Sequence, residues 1–204
     1  MNLKPATAII EMLHKIAALP RVYDRIQRMA GQEQCIERIS MQTVSIGAKT
    51  VIDVGGGTGN LRRVWPADCV YVCMDIEMPK LQGFRSKVPA GLAVLSDAAR
   101  MSIATGCADV VMLAAVMHHL TDSMLDQVFE ETLRVLKSGG CLVFFDPVLN
   151  RDLWAGRMLW RLDRGSYPRE VEELRKLLGA KFDVIHWEKY AVYHEYVFGI
   201  AVRP

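Results

Sequence analysis

Five short apolar runs, Val51 to Val54, Val70 to Cys73, Leu92 to Leu95, Asp109 to Leu113 and Leu142 to Phe145, recur along the chain with longer connections between them. They do not alternate strictly with polar residues. Each therefore suits a strand covered on both faces, the condition of a parallel sheet whose crossovers pack above and below it. Disorder, collagen-like repeats and a long coiled coil are excluded by the composition. The clearest crossover lies between the last two runs, where Leu125, Val128, Phe129, Thr132, Leu133 and Leu136 share one helical face and Gly139 reads as the helix stop. A further helix is expected after Pro168, with Val171, Leu174, Leu177 and Leu178 inward. The runs Phe182 to Tyr190 and Val192 to Val202 are joined too closely for a crossover helix, so they are expected to pair antiparallel.

Ahead of the first run, Ile9, Ile10, Leu13, Ile16, Val22, Ile26, Met29, Ile36 and Ile39 recur at helical steps around Pro20. This predicts a helical extension over residues 1–47 in front of an α/β core over 48–204. With 204 residues, 51% of them hydrophobic, the chain can bury one sizeable core, and no repeat or linker-like tract divides it. A net charge of +2 is too slight for a phosphate-backbone footprint, so no nucleic-acid partner is expected. The five cysteines form no C-x-x-C pair and read as small core residues of a reducing compartment. Cys69 and Cys73 on one extended strand stand about 13 Å apart, beyond a shared metal ion, and no metal is expected. The longest apolar run, Val110 to Met117, is far short of a membrane span and the N-terminus lacks a signal-like run. The expectation is a cytoplasmic protein without a membrane partner.

Directly after the first run stands Asp53-Val54-Gly55-Gly56-Gly57-Thr58-Gly59-Asn60. A turn so rich in glycine lets a nucleotide-like ligand approach the backbone, since no Cβ obstructs it and N–H groups are expected to point outward. A phosphate-cradling P-loop needs Lys and Ser or Thr at the end of such a turn, where this chain has Asn60-Leu61. The dinucleotide fingerprint would use Gly55 and Gly57 but meets Asn60 at its third glycine. The remaining reading takes Gly55, Gly57 and Gly59 as a G-x-G-x-G turn.

That turn, with the residues that follow it, resembles class I S-adenosylmethionine (SAM)-dependent methyltransferases over essentially everything after Lys49. The resemblance implies a Rossmann-like, doubly wound, mostly parallel seven-stranded sheet with an antiparallel C-terminal strand, and SAM as cofactor. Asp75, with its neighbour Ile76, closes the second run about 20 residues past the first glycine, where the family's carboxylate accepts the ribose hydroxyls. Asp97 and Ala98 follow the third run and resemble the station that takes the adenine amino group and a ring nitrogen. Ala114 lies in the segment at the end of the fourth run, whose backbone in the family runs beside the methionine moiety. Asp53 opens the turn and is expected to reach the cofactor through water or to cap the adjoining backbone. Arg21 to Arg28 and Leu159 to Arg169 further resemble a narrower group of small bacterial-type methyltransferases, which implies no particular substrate.

With the reactive methyl carried by the cofactor, alignment of an acceptor and exclusion of water supply most of the rate. An oxygen acceptor of high pKa also needs a base, for which His118 and His119 at the end of the fourth run are the candidates. His119 is preferred because it lies farther from the strand. Asp146, just past the fifth run, is the third candidate catalytic residue and otherwise a turn carboxylate. Arg157, Arg161 and Arg164 recur at helical steps and, on one side of a helix, would favour an anionic acceptor; solvated arginines are the alternative. The leading function is methyl transfer to a small-molecule acceptor. A SAM-binding regulatory or partner protein without turnover would carry the same cofactor residues. A nucleic-acid methyltransferase is disfavoured by the balanced charge and by the lack of an Asp/Asn-Pro-Pro-aromatic motif or a Pro-Cys nucleophile.

Overall fold

A computed structural model of the chain describes residues 32–150, 167–191 and 195–204. In chain order these form α1 (Gln32–Thr43), β1 (Thr50–Val54), a 3-10 turn (Asn60–Val64), β2 (Val70–Asp75), α2 (Met78–Lys87), β3 (Leu92–Leu95) and β4 (Ala108–Ala114). A second 3-10 turn (Met117–His119) leads into α3 (Asp122–Val135), β5 (Leu136–Val148), α4 (Val171–Gly179), β6 (Asp183–Ala191) and β7 (Glu195–Val202). The strands make one seven-stranded sheet in the order β3-β2-β1-β4-β5-β7-β6. β1 to β5 pair in parallel, whereas β7 runs antiparallel to both β5 and β6. The mostly parallel sheet with a reversed C-terminal strand is thus as the sequence predicts.

Alternate residues of each strand enter opposite layers. Ile52, Val54, Val111, Leu113, Leu142 and Phe144 meet Leu125, Val128 and Phe129 of α3 and Leu174 and Leu178 of α4. Val51, Tyr71, Val110, Met112 and Val143 face the other way, onto Cys35 and Ile39 of α1 and Leu81 and Phe84 of α2. α3 forms because its apolar residues fall on one stripe and because the Thr121 hydroxyl accepts the Met124 N–H at 3.2 Å, capping its first turn. Cys35, Cys69, Cys73 and Cys141 are buried, as core residues should be, whereas Cys107 is only half-buried. β3 differs from the expectation of cover on both faces: it is the sheet's edge strand, and Leu92 and Leu95 are exposed.

Gly139 is also not the helix stop. α3 ends at Val135 and β5 begins with the next residue, pairing Leu136 with Ala108 and then Cys141 with Val110. Lys137 to Gly140 bulge out opposite Asp109, with Gly139 at φ 76° and the Lys137 ammonium 2.8 Å from the Asp109 carboxylate. The same carboxylate accepts the Lys49 and Thr50 N–H groups, so the bulge ties the base of β5 to the start of β1. Of the expected N-terminal helical extension, α1 falls in the described residues and 1–31 lie outside them.

Between β1 and β4 the chain order along the sheet reverses, because β2 and β3 lie on one side of β1 while β4 and β5 lie on the other. Connections leaving these two strands diverge, and the gap at their C-terminal ends is where open α/β sheets hold ligands. Gly55 to Gly59 follow β1 and Ala115 to His119 follow β4, one on each side of the gap.

Candidate active site

On the β1 side, Gly55, Gly57 and Gly59 all have left-handed backbone, with φ of 69°, 58° and 71°. A Cβ at Gly59 would stand 2.3 Å from the Phe84 ring and one at Gly55 would stand 2.5 Å from Val116, so the turn is sealed from behind by α2 and by the β4 connection. The amides differ from the expectation that they point outward. Gly56 N–H donates to Met74 O, Gly57 N–H to the Asp75 carboxylate and Gly59 N–H to Gly56 O. What the turn offers a ligand is close backbone approach rather than a cluster of free donors. Lys87, which sequence reasoning missed, donates to Thr58 Oγ1 at 3.0 Å and Asn60 Oδ1 at 2.9 Å and fastens the far side of the turn to α2.

Asp75 is buried at the end of β2 and uses one oxygen for Gly57 N–H at 3.0 Å and the other for Glu77 N–H at 2.8 Å. Each carboxylate oxygen retains a lone pair that a sugar hydroxyl can use. Ile76 beside it is 69% exposed, a large apolar side chain left uncovered at the crevice end of β2. Asp97 is also exposed; its Oδ1 accepts Ala99 N–H at 2.9 Å, and the Ser96 hydroxyl accepts Ser102 N–H at 2.9 Å, fixing the loop that holds Asp97 and Ala98. A buried carboxylate thus ends β2, an uncovered apolar residue follows it, and an exposed carboxylate follows β3.

Asp53 is 1% exposed and faces the Tyr71 side of the sheet. Its Oδ2 accepts the Tyr71 hydroxyl, while Oδ1 has no hydrogen-bond partner among the described residues. Burial pushes its carboxyl up to about 7, against the Tyr71 bond, which lowers it, and with the nearby Asp75 charge, which raises it. The folded chain therefore keeps a proton that the unfolded chain has lost between about pH 4 and pH 7, and stability falls as pH rises through that window. Relative to wild type, Asp53→Asn is expected to gain about 2–3 kcal/mol between about pH 5 and about pH 8. Urea unfolding at the two pH values checks this; a pH-independent difference would show that Asp53 is ionised throughout. A Tyr inside an apolar strand needs a polar partner, and that was the available signal for Tyr71.

On the β4 side the chain leaves the sheet through Ala115, whose φ of 55° is a left-handed conformation costly for a residue with a Cβ. Ala115 N–H donates to Phe145 O at 2.7 Å, holding Ala114 and Ala115 against the end of β5. Asp146 follows on β5 and is buried, with Oδ1 accepting Met117 N–H at 3.1 Å and Oδ2 accepting His118 N–H at 2.9 Å. His118 Nδ1 lies 3.2 Å from both carboxylate oxygens. An ionised carboxylate only accepts, so a bond between the two needs a proton on Nδ1. His118 is 3% exposed, whereas His119 is exposed and its ring stacks on that of His118 at 4.1 Å and 40°. The structure thus brings His118, His119 and Asp146 together at one strand end, with Asp146 beneath the turn.

Residues 52–144 match the methyltransferase domain family. The sheet order with its reversed seventh strand, the glycine turn and the acidic residue ending β2 are those that the resemblance to class I SAM-dependent methyltransferases implies. SAM is the cofactor of that class. Among relatives, the chain is 31% identical over 134 residues to malonyl-[acyl-carrier protein] O-methyltransferase of Legionella pneumophila, a match covering 60% of this chain and 44% of that protein. It is 29% identical over 141 residues to norreticuline-7-O-methyltransferase of Papaver somniferum, covering 65% of this chain and 39% of the relative. The matches therefore span less than half the length of these two proteins. Among solved structures, magnesium protoporphyrin IX methyltransferase of Synechocystis PCC 6803, determined with bound S-adenosylhomocysteine (SAH), superposes with a TM-score of 0.71 at 16% identity, covering 95% of this chain and 100% of that one. No helix among the described residues is long and apolar enough to cross a membrane.

Proposed function

We propose that this chain methylates a small-molecule acceptor, with the glycine turn, Asp53, Asp75, Ile76, Asp97, Ala98 and Ala114 forming the cofactor half of the site and His118, His119 and Asp146 the acceptor half. The observation that carries this reading is the placement of the two halves on opposite sides of one sheet switch point, with Gly55 packed on Val116 between them. When bound, SAM supplies a sulfonium methyl that passes to the acceptor as its carbon–sulfur bond breaks. Asp75 would hold the ribose hydroxyls and so orient the cofactor. His119, exposed at the crevice, accepts the acceptor's proton; His118, held by Asp146, is the fixed ring against which His119 is placed.

The relatives act on a malonyl-[acyl-carrier protein] and on norreticuline, which supports an oxygen acceptor on a small group or molecule. We further propose that the acceptor is anionic, on the spacing of Arg157, Arg161 and Arg164, which lie outside the described residues. The test is transfer of label from methyl-labelled SAM to matched anionic and neutral hydroxyl acceptors, in wild type and Arg161→Ala. Preferential labelling of the anionic set, reduced in the variant, is expected. Equal labelling of both sets would remove the anionic acceptor, and SAH binding without label on any acceptor would favour a binding protein without turnover.

A further inference from the structure

The turn bearing His118 and His119 is held by a residue that no cofactor motif includes. Arg169 follows the segment after β5, and its side chain is 5% exposed. Every N–H of its guanidinium has an acceptor: Nε and Nη2 donate to Asp122 Oδ1 at 2.9 and 2.6 Å, Nη1 to Met117 O at 2.8 Å and Tyr167 O at 3.3 Å, and Nη2 also to Leu120 O at 2.7 Å. Met117 O and Leu120 O flank the histidine pair. One planar fork therefore grips the backbone on both sides of the two rings.

The peptide joining Met117 to His118 is clamped at both ends, with its oxygen on Arg169 and its N–H on Asp146. The next peptide is clamped as well, since His118 O accepts Tyr167 N–H at 3.0 Å and His119 N–H donates to Val116 O at 3.0 Å. Peptides are planar, so fixing both ends of two successive units fixes the direction of the Cα–Cβ bond between them. Arg169 O in turn accepts Leu149 N–H at 2.8 Å, which ties the two ends of the intervening segment together beside the same turn.

From this geometry we infer that Arg169 is a positioning residue for the His118–His119 pair, setting the mutual placement of the rings. Its relevance to catalysis rests on the reading of that pair as the acid–base site. The test needs no acceptor. The chain has five histidines, so ring-labelled protein gives few signals, assigned with His118→Gln and His119→Gln. Rings with centroids 4.1 Å apart displace each other's proton resonances from those of a free imidazole.

Arg169→Lys keeps the charge, yet three donors on a point-like ammonium cannot span these carbonyls together. The expected result is loss of at least about half of that mutual displacement, with the His186 signal stationary and SAH affinity by calorimetry within about threefold of wild type. Unmoved His118 and His119 signals in a folded Arg169→Lys protein would overturn the inference. So would a fall in SAH affinity beyond about tenfold, which would make Arg169 a support of the whole crevice. Should Arg169→Lys not fold, Asp122→Asn decides, because the Asp122 side chain is 63% exposed and an amide oxygen there still accepts from the fork while the charge-assisted pull is lost. A smaller displacement in the same direction supports the assignment there, and no displacement overturns it. If the rings respond but His119→Ala retains full turnover, the positioning stands and the base role falls.

Discussion

Asp75→Ala binds SAH about 30- to 1000-fold more weakly than the wild type, a loss of about 2–4 kcal/mol. Two things disappear together in this variant. A buried carboxylate that can accept two ribose hydroxyls is removed, and the Gly57 amide it holds at 3.0 Å is released, loosening the turn on which the ligand lies. Charge-assisted bonds are about twice as strong as neutral ones, so a single neutral acceptor does not replace them. Asp75→Asn keeps one acceptor oxygen but turns an N–H₂ toward donors, and an intermediate loss is expected. Calorimetric titration with SAH checks both variants. Unchanged affinity in Asp75→Ala would remove Asp75 from the ribose site.

His119→Ala lowers methyl transfer about 10²- to 10⁴-fold while SAH affinity stays near the wild-type value. The separation follows from placement: His119 is exposed on the β4 side of the crevice, while the glycine turn and Asp75 stand on the β1 and β2 side. Single-turnover rates at saturating acceptor give the comparison. Full activity would leave alignment of the acceptor as the source of the rate. His118→Ala is a different perturbation, because it strips the ring from a buried carboxylate that, among the described residues, keeps two backbone N–H partners, and it is expected to reduce stability as well as rate.

The sheet was legible because its signal is local. Val51 to Val54 and Asp109 to Leu113 carry their burial in their own composition, and Gly55 to Gly59 carry a backbone requirement visible in five letters. The place of Asp75 at the end of β2 was legible in the apolar run it closes. What escaped reading depends on contacts across long sequence separations, which no periodicity encodes. Arg169 reaches Met117 and Leu120 across some fifty residues, and Lys87 reaches Thr58 and Asn60 from the far end of α2. Asp146 reads as a strand-end carboxylate open to the crevice, yet both its oxygens are occupied by Met117, His118 and the His118 ring. Gly139 was misassigned for a related reason: glycine with left-handed backbone ends helices and opens bulges alike, and only the pairing of Leu136 with Ala108 distinguishes the two.

The most direct measurement is the crystal structure of the protein soaked with SAH. Electron density is expected in the gap between the ends of β1 and β4, with both ribose hydroxyls within hydrogen-bond distance of Asp75, the adenine edge at Asp97 and Ala98, and the sulfur directed toward the turn from Ala115 to His119. Density at another place on the sheet, or a crevice without ligand at SAH concentrations far above those of known class members, would contradict the assignment of this crevice as the cofactor site.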